Sequence, residues 1–168
     1  MVAPPDDVED SAFGISFSRA RLSIARVSVA HDGSLAKACE HAARVSARAL
    51  GVARVGVWLF SEDGAELRCE YLHCEDGSAP PDGPLVLHTR DYPEYVAALR
   101  AHRWICADDA QADPLTAELR ARYLVPLGIT SMLDAPIFRG GQLIGIVCHE
   151  HRGPKRKCEI VTAPDFRE

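Results

Sequence analysis

The feature that most constrains the fold is a pair of long strand-forming runs in the last third of the chain. Residues 129–138 and 142–149 are rich in aliphatic and β-branched side chains, and Arg139-Gly140-Gly141 joins them as a tight turn. Pro136 lies inside the first run and predicts a free edge or a bulge there, because proline has no backbone N–H to donate. Together these runs predict an antiparallel sheet.

The segments before this hairpin alternate between strand and helix patterns. Ser34 begins and Gly51 ends a run with helical spacing of apolar residues. Asp91 and Pro93 mark a second helix start, with Asp91 as the cap, and Asp113 with Pro114 marks a third. The predicted helices are 34–50, one starting at 91–94, and 113–124; the predicted strands before the hairpin are 53–60, 66–73 and 104–107. This order predicts an α+β domain, with helices on one face or end of a central antiparallel sheet.

Length and composition limit the classes of protein to consider. The 168 residues suffice for one domain, and the net charge of −5 is spread without a run of like charges, which disfavours binding to nucleic acid or a membrane surface. No apolar run reaches the ~18 residues of a membrane span, and the acidic start differs from a secretory signal, so we expect a cytoplasmic protein. The six cysteines have no disulfide-type spacing and are expected to be reduced: Cys39, Cys69, Cys74, Cys106, Cys148 and Cys158.

Four stretches of the chain resemble a known family of signalling domains. They are 92–99 (YPEYVAAL), 105–110 (ICADDA), 123–137 (YLVPLGITSMLDAPI) and 141–151 (GQLIGIVCHEH). Together they resemble GAF domains attached to bacterial sensor kinases, over about residues 31–154. The chain then divides into a Pro- and Asp-rich N-terminus at 1–12 that is expected to be disordered, a possible entry helix at 13–30 indicated by apolar spacing, the GAF domain at 31–154 and a C-terminal extension at 155–168.

The resemblance implies a fold and a function. GAF domains have a PAS/profilin-like antiparallel sheet of about six strands flanked by helices. Their pockets over one sheet face bind cyclic nucleotides, tetrapyrroles or other small molecules. The resemblance therefore implies a non-catalytic, homodimeric sensor that relays ligand occupancy to an output domain such as a histidine kinase of a two-component system. No Cys-His pair precedes Tyr123-Leu124, so covalent bilin is not expected, and the cofactor stays unnamed beyond a small organic ligand.

All but one of the candidate ligand-binding residues lie in three places. One is the segment from Asp108 to Thr116 with the preceding short strand, and the others are the strands around Asp134 and His149. Asp134 stands out because a carboxylate in an apolar strand needs a partner once it is buried. We predict no metal site, since Cys148, His149 and His151 have no second ligand cluster. The predicted ligand-binding residues are Trp104, Asp108, Asp109, Thr116, Tyr123, Met132, Asp134 and His149.

Two alternatives remain open at this point. The GAF fold also includes free methionine sulfoxide reductases, which would need a reactive thiolate with a resolving cysteine, and Cys69, Cys74 and Cys106 are the candidates. The other alternative is a dimerisation module that binds no ligand.

Overall fold

A six-stranded antiparallel sheet with the strand order β3-β2-β1-β6-β5-β4 forms the centre of the molecule. The structure is a computed structural model that describes residues 34–157. The predicted α+β class and the strand number of about six are confirmed. The strands are β1 Arg54–Phe60, β2 Glu66–Cys74, β3 Val86–His88, β4 Ile105–Ala107, β5 Ile129–Arg139 and β6 Gln142–Arg152; the helices are α1 Leu35–Leu50, α2 Pro93–Ala101 and the single turn α3 Val125–Leu127.

Some predictions fall outside the described part of the chain. They are the disordered N-terminus at 1–12, the helix at 13–30, and the end of the C-terminal extension with Cys158. The first residues of that extension, 155–157, follow β6 without regular secondary structure. Within residues 34–157, none of the helices has the length and apolar character needed to cross a bilayer.

The β5–β6 hairpin forms as predicted. Gly140 and Gly141 both have positive φ, 58° and 79°, which the tight two-residue turn requires. β4 pairs with β5 only from Met132 to Asp134, so the part of β5 that contains Pro136 has no partner on that side within residues 34–157. The β5–β6 pairing is also irregular between Ile137 and Phe138. Pro136 therefore lies at a locally free edge, beside a bulge.

Helix α1 also begins and ends where the sequence predicts. The Ser34 hydroxyl accepts the Lys37 N–H at 3.5 Å, and Gly51 closes the helix in the left-handed conformation at φ 59°. Ala43 and Ala47 are fully buried against Val55 of β1. Small side chains thus let α1 pack closely on one face of the sheet, which we call the α1 face.

The helices cover both faces of the sheet, where the sequence predicted one face or end. Tyr95 and Leu99 of α2, with Tyr123 and Leu124, pack on the face opposite α1 around Trp58. Strand β3 was missed, because its three residues follow a loop rich in glycine and proline. We call the face covered by α2 the α2 face.

Two details of the predicted helices are wrong. Asp91 ends a 3-10 turn at Thr89–Asp91 and caps no helix; the residue before α2 is Tyr92, which makes no capping bond through its side chain. The Glu118 carboxylate accepts the Tyr95 N–H instead, at 2.9 Å. The predicted helix 113–124 is a 3-10 turn, Ala117–Leu119, followed by a π-helical turn, Arg120–Leu124.

Candidate functional site

Side-chain alternation along β1 and β6 places a set of polar residues on the α2 face. Arg54 pairs across the strands with Glu150, and Gly56 pairs with Cys148. On β5, Asp134 stands opposite Cys148. Since residues two apart share a face, Arg54, Trp58, Asp134, Cys148 and Glu150 all point toward α2. Each of these side chains is at most 3% exposed.

Arg54 and Glu150 form a fully buried ion pair. Arg54 Nε lies 3.1 Å from Glu150 Oε2, and both side chains are essentially inaccessible to solvent. The Tyr123 hydroxyl donates to the other carboxylate oxygen, Oε1, at 2.6 Å. Burial raises the pKa of Glu150, although Arg54 and Tyr123 act to lower it. Tyr123, from the π-helical turn, is thereby fixed to the sheet.

A second buried carboxyl group links α2 to the same face. The Tyr95 hydroxyl donates to Asp134 Oδ2 at 2.6 Å. Burial raises the pKa of Asp134 to about 7, against the hydrogen bonds from Cys148 and Tyr95, which lower it. Asp134 is therefore a carboxyl group that is partly protonated near neutral pH.

Several buried polar atoms on this face have no hydrogen-bond partner among residues 34–157. They include Arg54 Nη1 and Nη2, Trp58 Nε1 and Asp134 Oδ1. Arg54 Nε and Glu150 Oε2 are close enough for an ion pair, but their alignment does not meet hydrogen-bond geometry. The Trp58 ring lies over Gly56, where a Cβ atom would approach Trp58 Nε1 to 2.6 Å. Buried hydrogen-bond donors normally have partners in folded proteins. This cluster is therefore suited to a polar ligand.

A cavity of about 340 Å³ opens beside this cluster. Trp58 and Tyr123 form part of its wall and contact each other edge to face, with ring centroids 5.9 Å apart. We call it the Trp58–Tyr123 cavity, and its remaining lining residues are Pro84, Leu85, Val86, Leu87, His88, Asp91, Tyr92 and Arg122. A second cavity, of about 490 Å³, lies between the β1–β2 turn and the β5–β6 hairpin.

Three of the predicted ligand-binding residues lie on the α2 face. Tyr123 lines the cavity, whereas Met132 and Asp134 are buried beneath α2 and the neighbouring turns. Met132 stands opposite Glu150 across the β5–β6 pair, so its side chain is next to the buried ion pair. These three residues lie on the same side of the sheet, and binding of a ligand by them stays a proposal.

The four predicted residues around β4 lie apart from the cavity lining. Trp104 precedes β4 and packs against the Arg103 guanidinium at 5.4 Å. The Asp109 carboxylate accepts from Lys155, which lowers its pKa, and the buried Thr116 hydroxyl donates to the Ala110 carbonyl at 2.7 Å. Asp108 is exposed and accepts the Ser131 hydroxyl through its backbone carbonyl. Thr116 and Asp109 stabilise the loop after β4.

His149 lies on the α1 face, so the structure does not bring it together with Asp134. It pairs with Val55 on β1 and with Leu133 on β5. This position is one residue along the strands from the Cys148–Asp134 pair, so the side chains point to opposite faces. Its Nδ1 lies 3.1 Å from the Leu133 carbonyl, and burial lowers its pKa to about 4. The sequence analysis placed Asp134 and His149 at one pocket. It overlooked that a shift of one residue between paired strands turns a side chain to the other face of the sheet.

The structure describes five of the six cysteines. Cys39, Cys69, Cys74 and Cys148 carry free thiols, as predicted, whereas Cys106 is disulfide-bonded, which corrects the expectation of six reduced cysteines. Burial raises the pKa of Cys69 to about 12, with a further contribution from Glu150. Cys148 is buried beside Asp134, and its pKa is raised as well. Within residues 34–157, no three His, Cys, Asp or Glu side chains converge as metal ligands.

The family model for the GAF domain matches residues 34–163. The chain belongs to the GAF domain family. No curated protein sequence matches it. Among solved structures, this GAF domain is similar to the chromophore-binding domain of an unusual bacteriophytochrome from R. palustris, at 21% identity with a TM-score of 0.65 over 86% of this chain. The phycocyanobilin-bound GAF domain of a cyanobacterial phytochrome shows 19% identity and a TM-score of 0.65 over 84% of this chain.

The GAF domain matches only part of some of these proteins. It spans 55% of the R. palustris domain and 82% of the cyanobacterial one. The photosensory core module of the Stigmatella aurantiaca phytochrome matches with 13% identity and a TM-score of 0.68, over 92% of this chain and 34% of that one. At these identities the structural matches support the fold.

Sequence reasoning missed two parts of the site in this GAF domain. Leu85 to His88, with β3, form one cavity wall, but the glycines and prolines before them obscured the strand. Arg54 and Glu150 were also missed. The available signal was a charged residue in each of two strands that pair antiparallel, because such residues need each other when both are buried.

Proposed function

We propose that this GAF domain is a sensor that binds a small organic ligand in the Trp58–Tyr123 cavity. The main support is the position of the cavity, against the sheet face that holds the unpartnered donors Arg54 and Trp58. Aromatic and aliphatic walls with a few polar groups are typical of small-molecule sites. The cavity volume of about 340 Å³ is near the lower end of the ~300–1,000 Å³ typical of such sites, which suits one or two fused rings.

Bilin binding is a narrower version of this proposal. Two of the similar structures are described as phycocyanobilin-bound and phycoerythrobilin-bound GAF domains. In this chain Leu119 and Arg120 hold the place just before Tyr123-Leu124 where bilin-binding relatives commonly have a Cys-His pair, so this place offers no thiol for attachment. A four-ring bilin would also need more room than the cavity provides, and β3 would have to move. We therefore favour a smaller, non-covalently bound ligand.

The signalling role extends the proposal beyond the domain itself. We propose that the domain is cytoplasmic, forms a homodimer, and transmits ligand occupancy to an output such as a histidine kinase. A ligand shifts the equilibrium between two conformations of a protein only by the difference between its affinities for them. Tyr95 and Tyr123 offer a physical connection, because each joins an element of the cavity side to a buried carboxyl group of the sheet.

We also propose that the domain is not itself a catalyst. A thiol reductase requires a low-pKa cysteine, whereas Cys69 has a pKa of about 12 and Cys106 is in a disulfide. Reduction of free methionine sulfoxide with thioredoxin as reductant tests this directly. Turnover that is lost in a Cys69→Ser or Cys106→Ser variant would contradict it.

Ligand binding is tested by thermal-shift screening of metabolites and phycocyanobilin, with native mass spectrometry of the purified protein. A ligand present at 100 times its Kd stabilises the folded state by about 2.7 kcal/mol. Leu87→Trp fills the cavity from β3 and should abolish the shift. Leu115→Trp is the control, since Leu115 is 37% exposed and is not among the cavity-lining residues. Equal shifts in both variants would place the ligand elsewhere, and no shift with any compound would favour the ligand-free dimerisation module.

A further inference from the structure

The unpartnered groups on the α2 face are mainly hydrogen-bond donors. Arg54 Nη1 and Nη2 and Trp58 Nε1 are buried and have no acceptor among residues 34–157. Arg54 and Trp58 lie on the same face of β1, on either side of Gly56, and the indole N–H of Trp58 lies over Gly56. The missing side chain at Gly56 leaves room for the indole N–H on the side of Trp58 where Arg54 follows along the strand. These donors call for an acceptor atom.

Charge decides which kind of acceptor fits. Glu150 already neutralises Arg54 at 3.1 Å, and Asp134 is another buried carboxyl group two strands away from Gly56. A ligand carboxylate would add a second negative charge beside Glu150 in a region without solvent, which is costly. A neutral carbonyl oxygen accepts the same N–H groups without that repulsion.

Trp58 connects the Trp58–Tyr123 cavity to these donors, since Arg54 is buried and is not among the cavity-lining residues. Both rings line the cavity, and Trp58 is also the residue that bears one of the unpartnered N–H groups. Edge-to-face aromatic contacts are modest in strength. A planar ring entering from the cavity can replace the contact between Trp58 and Tyr123 with its own aromatic contacts.

We propose that Arg54 and Trp58 bind the carbonyl oxygen of an uncharged, planar ligand that enters through the Trp58–Tyr123 cavity. This inference rests on the proposed ligand-binding function and specifies the chemical class of the ligand. Trp58 provides both a stacking surface and an N–H donor, and Arg54 supplies the charged donors. Glu150 acts as the positioning residue, since its carboxylate holds both the guanidinium and the Tyr123 hydroxyl.

Three matched bicyclic compounds test the inference: 1-indanone, indane, which lacks the carbonyl, and indane-1-carboxylate, which is an anion. A hydrogen bond to a charged donor is worth more than one between neutral groups, so 1-indanone should bind about tenfold more tightly than indane. The direct measurement is the indole N–H resonance of ¹⁵N-labelled protein. The Trp58 signal should move downfield with 1-indanone, while that of Trp104, which is outside the cavity lining, stays in place.

Two tryptophan variants complete the test. Trp104→Phe assigns the two indole signals, and Trp58→Phe keeps an aromatic ring but removes one of the donors, so it should lose part of the preference for 1-indanone over indane. Equal binding of 1-indanone and indane would overturn the carbonyl site while leaving an apolar ligand pocket. Tightest binding of the carboxylate would overturn the neutral ligand class. No response to any of the three would also overturn the inference, whereas the proposed function is judged separately by the metabolite and bilin screen.

Discussion

Replacing Asp134 with asparagine should change how the stability of the domain depends on pH. Asp134 is fully buried, with a pKa of about 7 in the folded state against about 3.9 for an unfolded chain. The folded state therefore binds the proton more tightly. The contribution of this group to stability is fully present below about pH 4 and is lost as the pH rises through 7.

The magnitude follows from the difference of about three pKa units. At about 1.36 kcal/mol per unit, the full loss is about 4 kcal/mol. About 1.5 kcal/mol of that is already lost at pH 5, so about 3 kcal/mol remains to be observed between pH 5 and 8.5. Asparagine does not titrate, and its side-chain oxygen can still accept the Tyr95 hydroxyl. Asp134→Asn should therefore gain about 3 kcal/mol relative to the wild type over this range.

The assay is urea unfolding of both proteins at several pH values, followed by far-UV circular dichroism. Taking the difference between the two proteins removes most of the contribution of groups that titrate in both, including His149, whose folded pKa of about 4 gives the opposite slope. Tyr95→Phe is the matched control. It removes a hydrogen bond that lowers the Asp134 pKa, so the loss of stability with rising pH should continue to a higher pH than in the wild type. A difference that stays constant within about 0.5 kcal/mol from pH 5 to 8.5 would refute a buried, proton-binding Asp134.

Three further predictions concern the same sheet. Glu150→Ala leaves the Arg54 guanidinium buried without its counter-charge and should cost about 3–5 kcal/mol in urea unfolding; a loss below about 1 kcal/mol would mean that Arg54 is stabilised by other groups. Gly145→Ala puts a Cβ atom in a steric clash with the Trp58 carbonyl oxygen. This clash should lower the free energy of unfolding by about 1–3 kcal/mol. A free energy of unfolding equal to that of the wild type would show that β1 and β6 separate easily. Cys69, with its pKa of about 12, should react with iodoacetamide at pH 8 at least about a hundredfold more slowly than in the urea-unfolded chain; comparable rates would indicate an accessible thiolate.

The sequence was sufficient for the elements that local patterns determine. Helix α1 has a cap at Ser34 and a glycine at Gly51, and the β5–β6 hairpin has two glycines at positions that need positive φ. These signals act within a few residues of one another, so they are readable without the tertiary structure.

The candidate site was less predictable, because it depends on distant pairing. Arg54 and Glu150 are nearly a hundred residues apart in sequence, and only the β1–β6 register brings them together. The faces of Asp134 and His149 were confused for the same reason, since a shift of one residue between paired strands reverses a side chain's direction. In place of the helix expected over 113–124, the structure has a 3-10 turn followed by a π-helical turn. The π-helical turn places Tyr123 over the sheet. Tertiary contacts overrode the helical pattern there.

The short β4 strand has a consequence for how this protein associates with other chains. Beyond Asp134, the outer side of β5 has no neighbouring strand within residues 34–157. An open backbone ladder of this kind invites another polypeptide to add itself as an extra strand, which is a route to aggregation. Pro136 falls within that stretch, and its ring nitrogen carries no hydrogen to offer. The irregular pairing at Ile137 then twists the rest of the strand out of line. Together these two features discourage intermolecular sheet growth at this edge.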